Sequence, residues 1–468
     1  MEEFRADTFA PRPGREGALT LGDGSRVAVI GGGPAGTFFS YFLLDMAERY
    51  GLDLDVTIYE PRDFRTPGPG GCNMCGGIIS ESLVQMLATD GINLGGDVVQ
   101  RGIDSYVLHM DVGSVRIATP LKEKRIAAVH RGPGPRDLKH LRWESFDGHL
   151  LSLAEGRGAT RIPEKVAKVD REEGRPRITI AGGETAVYDL LAVAAGVNSG
   201  AMKLLRSMDD GFVPPVPTKT MIREYWLGAE TIRRQLGSAM HVFLLNLPRL
   251  EFAAIIPKGE YVTVALLGDD VDKELMAAFL GSEEVRRCMP PGWDPATISC
   301  MCSPLMNVRG APRPFGDRVV YIGDSGVTRL FKDGIGAAYR TAKAAASAAV
   351  FQGVAAGDFE KAFLPVCRAI EKDNAVGRLI FLVMGIIQKT RVARGAVLRM
   401  VDREQGRPAG PPRMSGVLWD MFTGSAPYRD ILGRTLHPAF WGRLACDLAG
   451  AAVGAGGPRA AKSGKGTP

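Results

Sequence analysis

Long hydrophobic runs are scarce in this chain of 468 residues, and none reaches the ~18 residues needed to span a bilayer; the longest candidates are 103–110 and 379–387. Cysteine is also scarce. Seven cysteines, an odd number in so long a chain, exclude a disulfide scaffold. The first 25 residues are polar and rich in Gly and Pro, with Glu2 and Glu3 near the start. No secretory signal pattern is present there, so a reducing, cytoplasmic location is expected. The six histidines are scattered, and no spacing marks one as a metal ligand or a catalytic base. Charge is unevenly distributed. The formal net charge is +6, and between Lys389 and Arg413 seven basic residues face only Asp402 and Glu404, a net of +5. A nucleic-acid binder would spread such charge over a face or groove, so no nucleic-acid partner is expected.

A hydrophobic content of 45% with 24% charged residues excludes a disordered chain. Glycine is abundant, at 59 residues, without a Gly-X-Y period, which points to tight turns and close backbone approaches. Arg26–Ile30 reads as a buried strand, Thr37–Tyr50 as a helix and Asp55–Tyr59 as a second strand, a βαβ unit with β-branched strands of the parallel type. Further strands are expected at Ile103–Met110 and Ser114–Thr119 (a hairpin), Ile126–His130, Ile162–Val169, Arg177–Ile180 and Ala186–Ala195, with helices near Ser80 and over Trp143–Glu155. From Lys219 to Ile298 the pattern becomes that of an antiparallel sheet, with runs at Met221–Leu227, Met240–Leu247, Phe252–Ile256 and Tyr261–Leu267. Arg318–Ile322 is again a buried-type strand, followed by a small-residue helix, Gly336–Phe351. A continuous helix is expected from Phe359 to about Val401, then a Pro/Gly/Arg linker over 406–413 and a loose tail after about Gly450.

Within the first unit, Gly31-x-Gly33-Pro34-Ala35-Gly36 follows a strand and opens a helix. Gly31 permits the turn, Gly33 admits a pyrophosphate against bare backbone, and Gly36 lets helix pack on strand. The helix N-terminus then offers free N–H groups to phosphate. Glu60, 24 residues after Gly36, ends the second strand where a carboxylate accepts hydrogen bonds from ribose hydroxyls and disfavours a 2′-phosphate. These residues point to NAD or FAD.

Gly323-Asp324, followed ten residues on by Gly334-Ile335-Gly336 at a helix start, resembles the second flavin motif of FAD-dependent oxidoreductases. That resemblance implies that Asp324 binds the ribityl chain. It also implies that the helix start at Gly334, Ile335 and Gly336 directs its dipole at the pyrimidine edge of the flavin, where charge accumulates on reduction. A third segment is Cys72-x-x-Cys75-Gly76-Gly77. By spacing alone it fits half a zinc site, a redox dithiol, or two small residues in a cramped loop. Cys300 and Cys302 are the other thiolates that could complete a metal site, but no metal is expected.

With Ile79 added, this segment resembles the Cys-x-x-Cys-Gly-Gly-x-Ile loop of geranylgeranyl reductases, as do Phe146-Asp147…Leu150 and the 323–336 segment. The likeness covers about residues 26–350. It implies an α/β fold of the para-hydroxybenzoate hydroxylase type: a Rossmann-like FAD-binding domain (26–100, 131–200 and 316–352) interrupted by an antiparallel β-sheet substrate domain (a hairpin at 101–130, then 201–315). A C-terminal helical lobe (353–446) follows, and 1–25 and 450–468 are loose termini. It implies that the loop carrying Gly76 and Gly77 lies along the isoalloxazine, and that a nearby cysteine influences reduction, Cys75 ahead of Cys72. The arginine that the family carries three residues before Phe-Asp is Trp143 here, and Arg131 stands in for it.

The activity so implied is reduction of C=C bonds in an isoprenoid or another lipid-like, hydrophobic substrate. Electrons would come from NADPH or from a reduced ferredoxin-type donor protein. A flavin-dependent monooxygenase of the same fold, or an electron-transfer module to a quinone or protein partner, are the alternatives. The apolar stretch Leu379–Ile387, followed by the basic segment, has the makings of a peripheral membrane contact on the cytoplasmic face.

Overall fold

The computed structural model describes residues 19–67, 75–119, 126–135, 138, 143–208, 211–406 and 413–452. Cys72 and most of the 406–413 linker lie outside the described residues. The strands Ser25–Ile30, Leu54–Tyr59 and Leu190–Val193 are buried over most of their length, as strands with both faces covered are. They form the centre of a six-stranded sheet whose order runs Phe315–Gly316, Val319–Tyr321, Leu190–Val193, Ser25–Ile30, Leu54–Tyr59, Thr160–Ile162. All neighbours are parallel except the short hairpin of Phe315–Gly316 with Val319–Tyr321. The helices Pro34–Tyr50 and Gly334–Phe351 pack against each other on this sheet. The second is lined by buried Ala337, Ala342, Ala345 and Ala349, whose small side chains permit a close approach, and Tyr339 meets Phe38 edge to face at 5.6 Å.

The second layer is a seven-stranded sheet in the order Cys300–Cys302, Met221–Trp226, Tyr261–Gly268, Leu250–Lys258, Ala239–Phe243, Ser105–Met110, Gly113–Ala118. It departs from the expected antiparallel sheet at one place: Ala239–Phe243 runs parallel to Ser105–Met110. The hairpin partner Gly113–Ala118 already holds one edge of Ser105–Met110. The strand that joins the other edge arrives from far along the chain, with its direction set by the intervening elements. Side chains alternate across this sheet. Tyr106, Leu108, Met240, Val242, Phe252 and Ala254 pack toward the C-terminal helices. Phe243, Ala253, Ile255, Val262 and Val264 pack toward the short helices Lys273–Gly281 and Glu283–Cys288, which the sequence reading did not anticipate. Ile78–Ile79, Ile126–Val129 and Val99–Ile103 form a small sheet of their own.

The helical stretch expected over 359–401 is broken in two places. Ala356–Ala362 ends before Leu364–Lys389, which starts with a proline in its first turn, and Thr390, in an extended conformation, separates the latter from Arg391–Gly406. Met414–Thr423, Tyr428–Thr435 and Pro438–Ala452 complete the lobe; residues 453–468, which hold most of the expected loose tail, lie outside the described residues. The basic segment is also less free than its +5 suggests. Arg394 is buried and paired with Asp111, and Arg403 pairs with Asp447. No helix among the described residues is long and apolar enough to cross a membrane.

Candidate functional site

At the carboxyl ends of the parallel strands the two glycine motifs meet. A Cβ on Gly36 would lie 1.9 Å from the Gly31 carbonyl oxygen, so the first turn of Pro34–Tyr50 sits directly on the preceding loop and only glycine fits. Gly323 follows the strand Val319–Tyr321 with φ +56°, and a Cβ there would lie 2.7 Å from the Ala35 Cβ. Residues nearly 290 positions apart are therefore in van der Waals contact. The end of Leu190–Val193 joins them, since the Gly196 N–H donates to Ser325 Oγ at 2.9 Å.

Glu60 ends Leu54–Tyr59 and is 1% exposed. Its carboxylate accepts from the Gly32 N–H at 2.9 Å and from the Arg62 N–H at 2.9 Å, which holds it beside the glycine loop. Two oxygens so positioned keep lone pairs for further hydroxyl donors.

Arg131 lies just beyond Ile126–Val129 and forms a forked pair with Asp147, Nε to Oδ1 at 2.9 Å and Nη2 to Oδ2 at 2.7 Å. Asp147 is fixed by the start of Phe146–Gly156, whose Ser145 cap accepts from the Gly148 N–H. Burial pulls the Arg131 guanidinium down, but Asp147 outweighs it and raises it further above its ordinary value, with Cys75 and Asp324 adding to the same field. A Cβ on Gly33 would lie 3.5 Å from Arg131 Nη2. Arg131 thus stands where Gly33, Cys75, Asp147 and Asp324 come together. Asp324 is itself pushed up by burial, with the Thr328 hydroxyl and Arg131 pulling the other way.

Cys75 Sγ accepts from the Gly77 N–H at 3.3 Å, which folds the loop back on itself. Gly76 faces Ile256, and a Cβ on Gly77 would lie 2.9 Å from Lys258 Nζ. Lys258 is 1% exposed and 3.8 Å from Glu224 Oε1. Sequence reasoning passed over Lys258; its signal was a charge closing the apolar run Phe252–Pro257 of the strand Leu250–Lys258. Cys75, Cys300 and Cys302 do not gather into a cluster among the described residues, and Cys300–Cys302 is an edge strand on Met221–Trp226.

The start of Gly334–Phe351 carries a feature the sequence did not suggest. Asp333, with φ +51°, holds its carboxylate beside Gly336, where it takes Arg329 Nη1 at 2.9 Å, Arg340 Nη2 at 2.7 Å and Ser80 Oγ at 3.2 Å. A carboxylate of the chain, balanced by two arginines, shares this helix N-terminus. The segment before it is tied to the C-terminal lobe. The Leu330 N–H donates to Asn374 Oδ1 at 2.9 Å, and Asn374 Nδ2 donates to the Thr328 carbonyl at 2.8 Å. Arg329 donates to the Gly424 and Ala426 carbonyls at 2.9 Å each. Lys332 donates to the Asp420 and Ala426 carbonyls and lies 4.0 Å above the Tyr428 ring.

No family model matches the chain. No curated protein matches it. Among solved structures the chain is similar to a flavoprotein/dehydrogenase from Cytophaga hutchinsonii, at 13% identity and TM-score 0.58 over 92% of this chain and 100% of the other. It is similar to halogenase PltM in complex with phloroglucinol and FAD, at 13% identity and TM-score 0.53 over 92% and 93%. It is also similar to CmlS, a flavin-dependent halogenase, at 17% identity and TM-score 0.52 over 92% and 76%. The fold is therefore the Rossmann-type architecture of FAD-binding flavoproteins.

Proposed function

We propose that the chain is an FAD-dependent oxidoreductase that reduces C=C bonds of an isoprenoid or other lipid-like substrate. The observation that carries this is the contact of Gly323 with Ala35, which brings the two glycine motifs to one place, with Glu60 at one end and Arg131 and Asp324 at the other. The cradle fits a dinucleotide: the turn around Gly33 exposes backbone rather than side chain, and the fixed Glu60 carboxylate offers acceptors to ribose hydroxyls. Bound FAD in its reduced form supplies a hydride donor.

Each neighbouring residue then has a task. Arg131, locked by Asp147, offers positive charge next to Gly33 and Cys75. Asp324 accepts from hydroxyls of the bound chain. The Cys75–Gly77 loop, supported by Ile256 and Lys258, closes one side and excludes water from the reacting face. Among the described residues Lys258 is a proton source near that loop, held by Glu224. The chain carries no second Gly-x-Gly-x-x-Gly after a strand, so electrons enter from NADPH held only during transfer or from a docked ferredoxin-type protein.

The substrate class rests on the Cys75-Gly76-Gly77-x-Ile79 loop and on an apolar surface. Leu379, Leu382, Val383 and Ile386 lie 47–65% exposed along one stripe of Leu364–Lys389, beside exposed Lys389 and Arg391. Such a stripe suits contact with an anionic membrane surface, where a greasy substrate resides.

The test is anaerobic incubation of the photoreduced protein with long-chain isoprenoid alcohols and their diphosphates, read by mass spectrometry. A product heavier by two hydrogens supports the reading. Oxygen incorporated under air, with no alkene saturated anaerobically, selects the monooxygenase alternative, and reoxidation by quinones alone selects electron transfer.

A further inference from the structure

Between the face of the seven-stranded sheet turned away from the flavin-type cradle and the short helices over it, three polar side chains meet inside an apolar core. His109 stands on Ser105–Met110 and His241 on Ala239–Phe243, the two strands that run parallel. The register sets Val107 opposite His241 and Phe243 opposite His109, so both imidazoles share one face, one step apart on neighbouring strands. Cys288, the last residue of Glu283–Cys288, reaches the same point from the helical layer above. His109 Nε2 is 2.9 Å from His241 Nδ1, and Cys288 Sγ is 3.5 Å from the first and 3.6 Å from the second. All three residues are buried, at 7%, 7% and 5% exposure. The His109 ring also stacks on Phe243 at 4.6 Å.

Bonds of about 2.0–2.1 Å to imidazole nitrogen and about 2.3 Å to thiolate place tetrahedral donors about 3.3 Å apart for N and N, and about 3.6 Å apart for N and S. Both sulfur–nitrogen separations already match, and the nitrogen pair needs to open by a few tenths of an ångström. His109 Nδ1 is bonded to Ser114 Oγ at 2.8 Å, the kind of outer hydrogen bond that fixes the orientation of a ligating imidazole. Without a metal the same atoms form a hydrogen-bonded group, Ser114 to His109 to His241 with the Cys288 thiol at hydrogen-bond distance of both rings; with a metal all three become donors to one point at separations close to those found.

We propose that His109 Nε2, His241 Nδ1 and Cys288 Sγ bind one zinc ion. Two imidazoles and a thiolate suit a borderline cation and not calcium or magnesium, which require oxygen. No fourth His, Cys, Asp or Glu joins the group among the described residues, so water completes the shell. The ion joins the parallel strand pair to the helix that covers it, fixing the one place where the sheet breaks its antiparallel order. The site is separate from the flavin cradle, because Tyr106, Leu108, Met240 and Val242 point from the opposite face of the same strands.

The test is elemental analysis of the full-length protein grown with zinc and purified without chelator, comparing wild type, Cys288→Ala and the exposed-cysteine control Cys446→Ala. The expected result is about one zinc per chain in wild type and Cys446→Ala, and a loss of tenfold or more in Cys288→Ala. Cobalt-loaded wild type should show tetrahedral ligand-field bands and a thiolate charge-transfer band, a readout that stands even if Cys288→Ala fails to fold. Wild type without metal and without those cobalt bands overturns the proposal, and so does zinc retained in folded Cys288→Ala. Flavin content is read separately from its visible absorbance, so loss of either site is distinguishable from loss of the other.

Discussion

Asp324 sits under two opposing demands. Burial raises its carboxyl above the ordinary range, so ionising it costs the folded protein stability. That cost is absent at acid pH, appears as pH rises through the unfolded carboxyl value, and is complete above the raised folded one. Replacement by Asn removes the cost but also removes a charged acceptor. Asp324→Asn is therefore expected to raise the melting temperature of the flavin-free protein at pH 7 while weakening FAD about tenfold, a charge-assisted hydrogen bond being worth ~1.5 kcal/mol. Differential scanning fluorimetry and a fluorescence titration measure the two; both quantities falling together would contradict this. Gly323 makes the complementary case. Its φ of +56° and the 2.7 Å approach to the Ala35 Cβ leave no room for a methyl group. Gly323→Ala should cost about 1–3 kcal/mol in urea unfolding and abolish flavin retention, whereas Gly357→Ala, at a helical glycine with open space around it, should do neither.

Among the elements, the helical lobe does more than follow the parallel-sheet part. Thr328, Arg329, Leu330 and Lys332 are each hydrogen-bonded to it, so it holds the segment that leads into Gly334–Phe351. Burial, with Arg329 nearby, depresses Lys332 to about 7. A depressed lysine destabilises the fold fully below that value, and the penalty shrinks as pH rises toward the unfolded lysine value, because the unfolded chain then binds the extra proton. Lys332→Met should thus raise the melting temperature more at pH 6 than at pH 9; an equal or inverted gain would show that its carbonyl bonds and the Tyr428 contact dominate. The helix Leu364–Lys389 carries a second element-scale expectation. Leu382→Glu with Ile386→Glu places two charges on an exposed stripe and should leave stability within about 0.5 kcal/mol, while reducing flotation with anionic vesicles several-fold. Wild-type protein that stays at the bottom of the gradient would remove the membrane contact.

Across the whole molecule, what the sequence disclosed was whatever lies in one contiguous stretch. Gly31 to Glu60 could be read because a turn, a helix start and a strand end are local events with fixed spacing. Asp324 was marked only by the resemblance of Gly323-Asp324 and Gly334-Ile335-Gly336 to the second flavin motif, which is again one contiguous stretch. The union of Arg131 with Asp147 needed three-dimensional information, since the pair is made by a loop beyond a small sheet and a helix start. His109, His241 and Cys288 were invisible for the same reason, being 132 and 47 residues apart with no spacing rule. The parallel pairing in the large sheet and the break at Thr390 are decided by packing against neighbours, which periodicity does not encode. Everything proposed about redox chemistry depends on the two glycine motifs closing on one dinucleotide. Flavin stoichiometry measures this most directly: the purified full-length protein, incubated with FAD and desalted, is expected to retain one FAD per chain with a visible flavin spectrum, whereas colourless protein that takes up no FAD at saturating concentration would contradict the account.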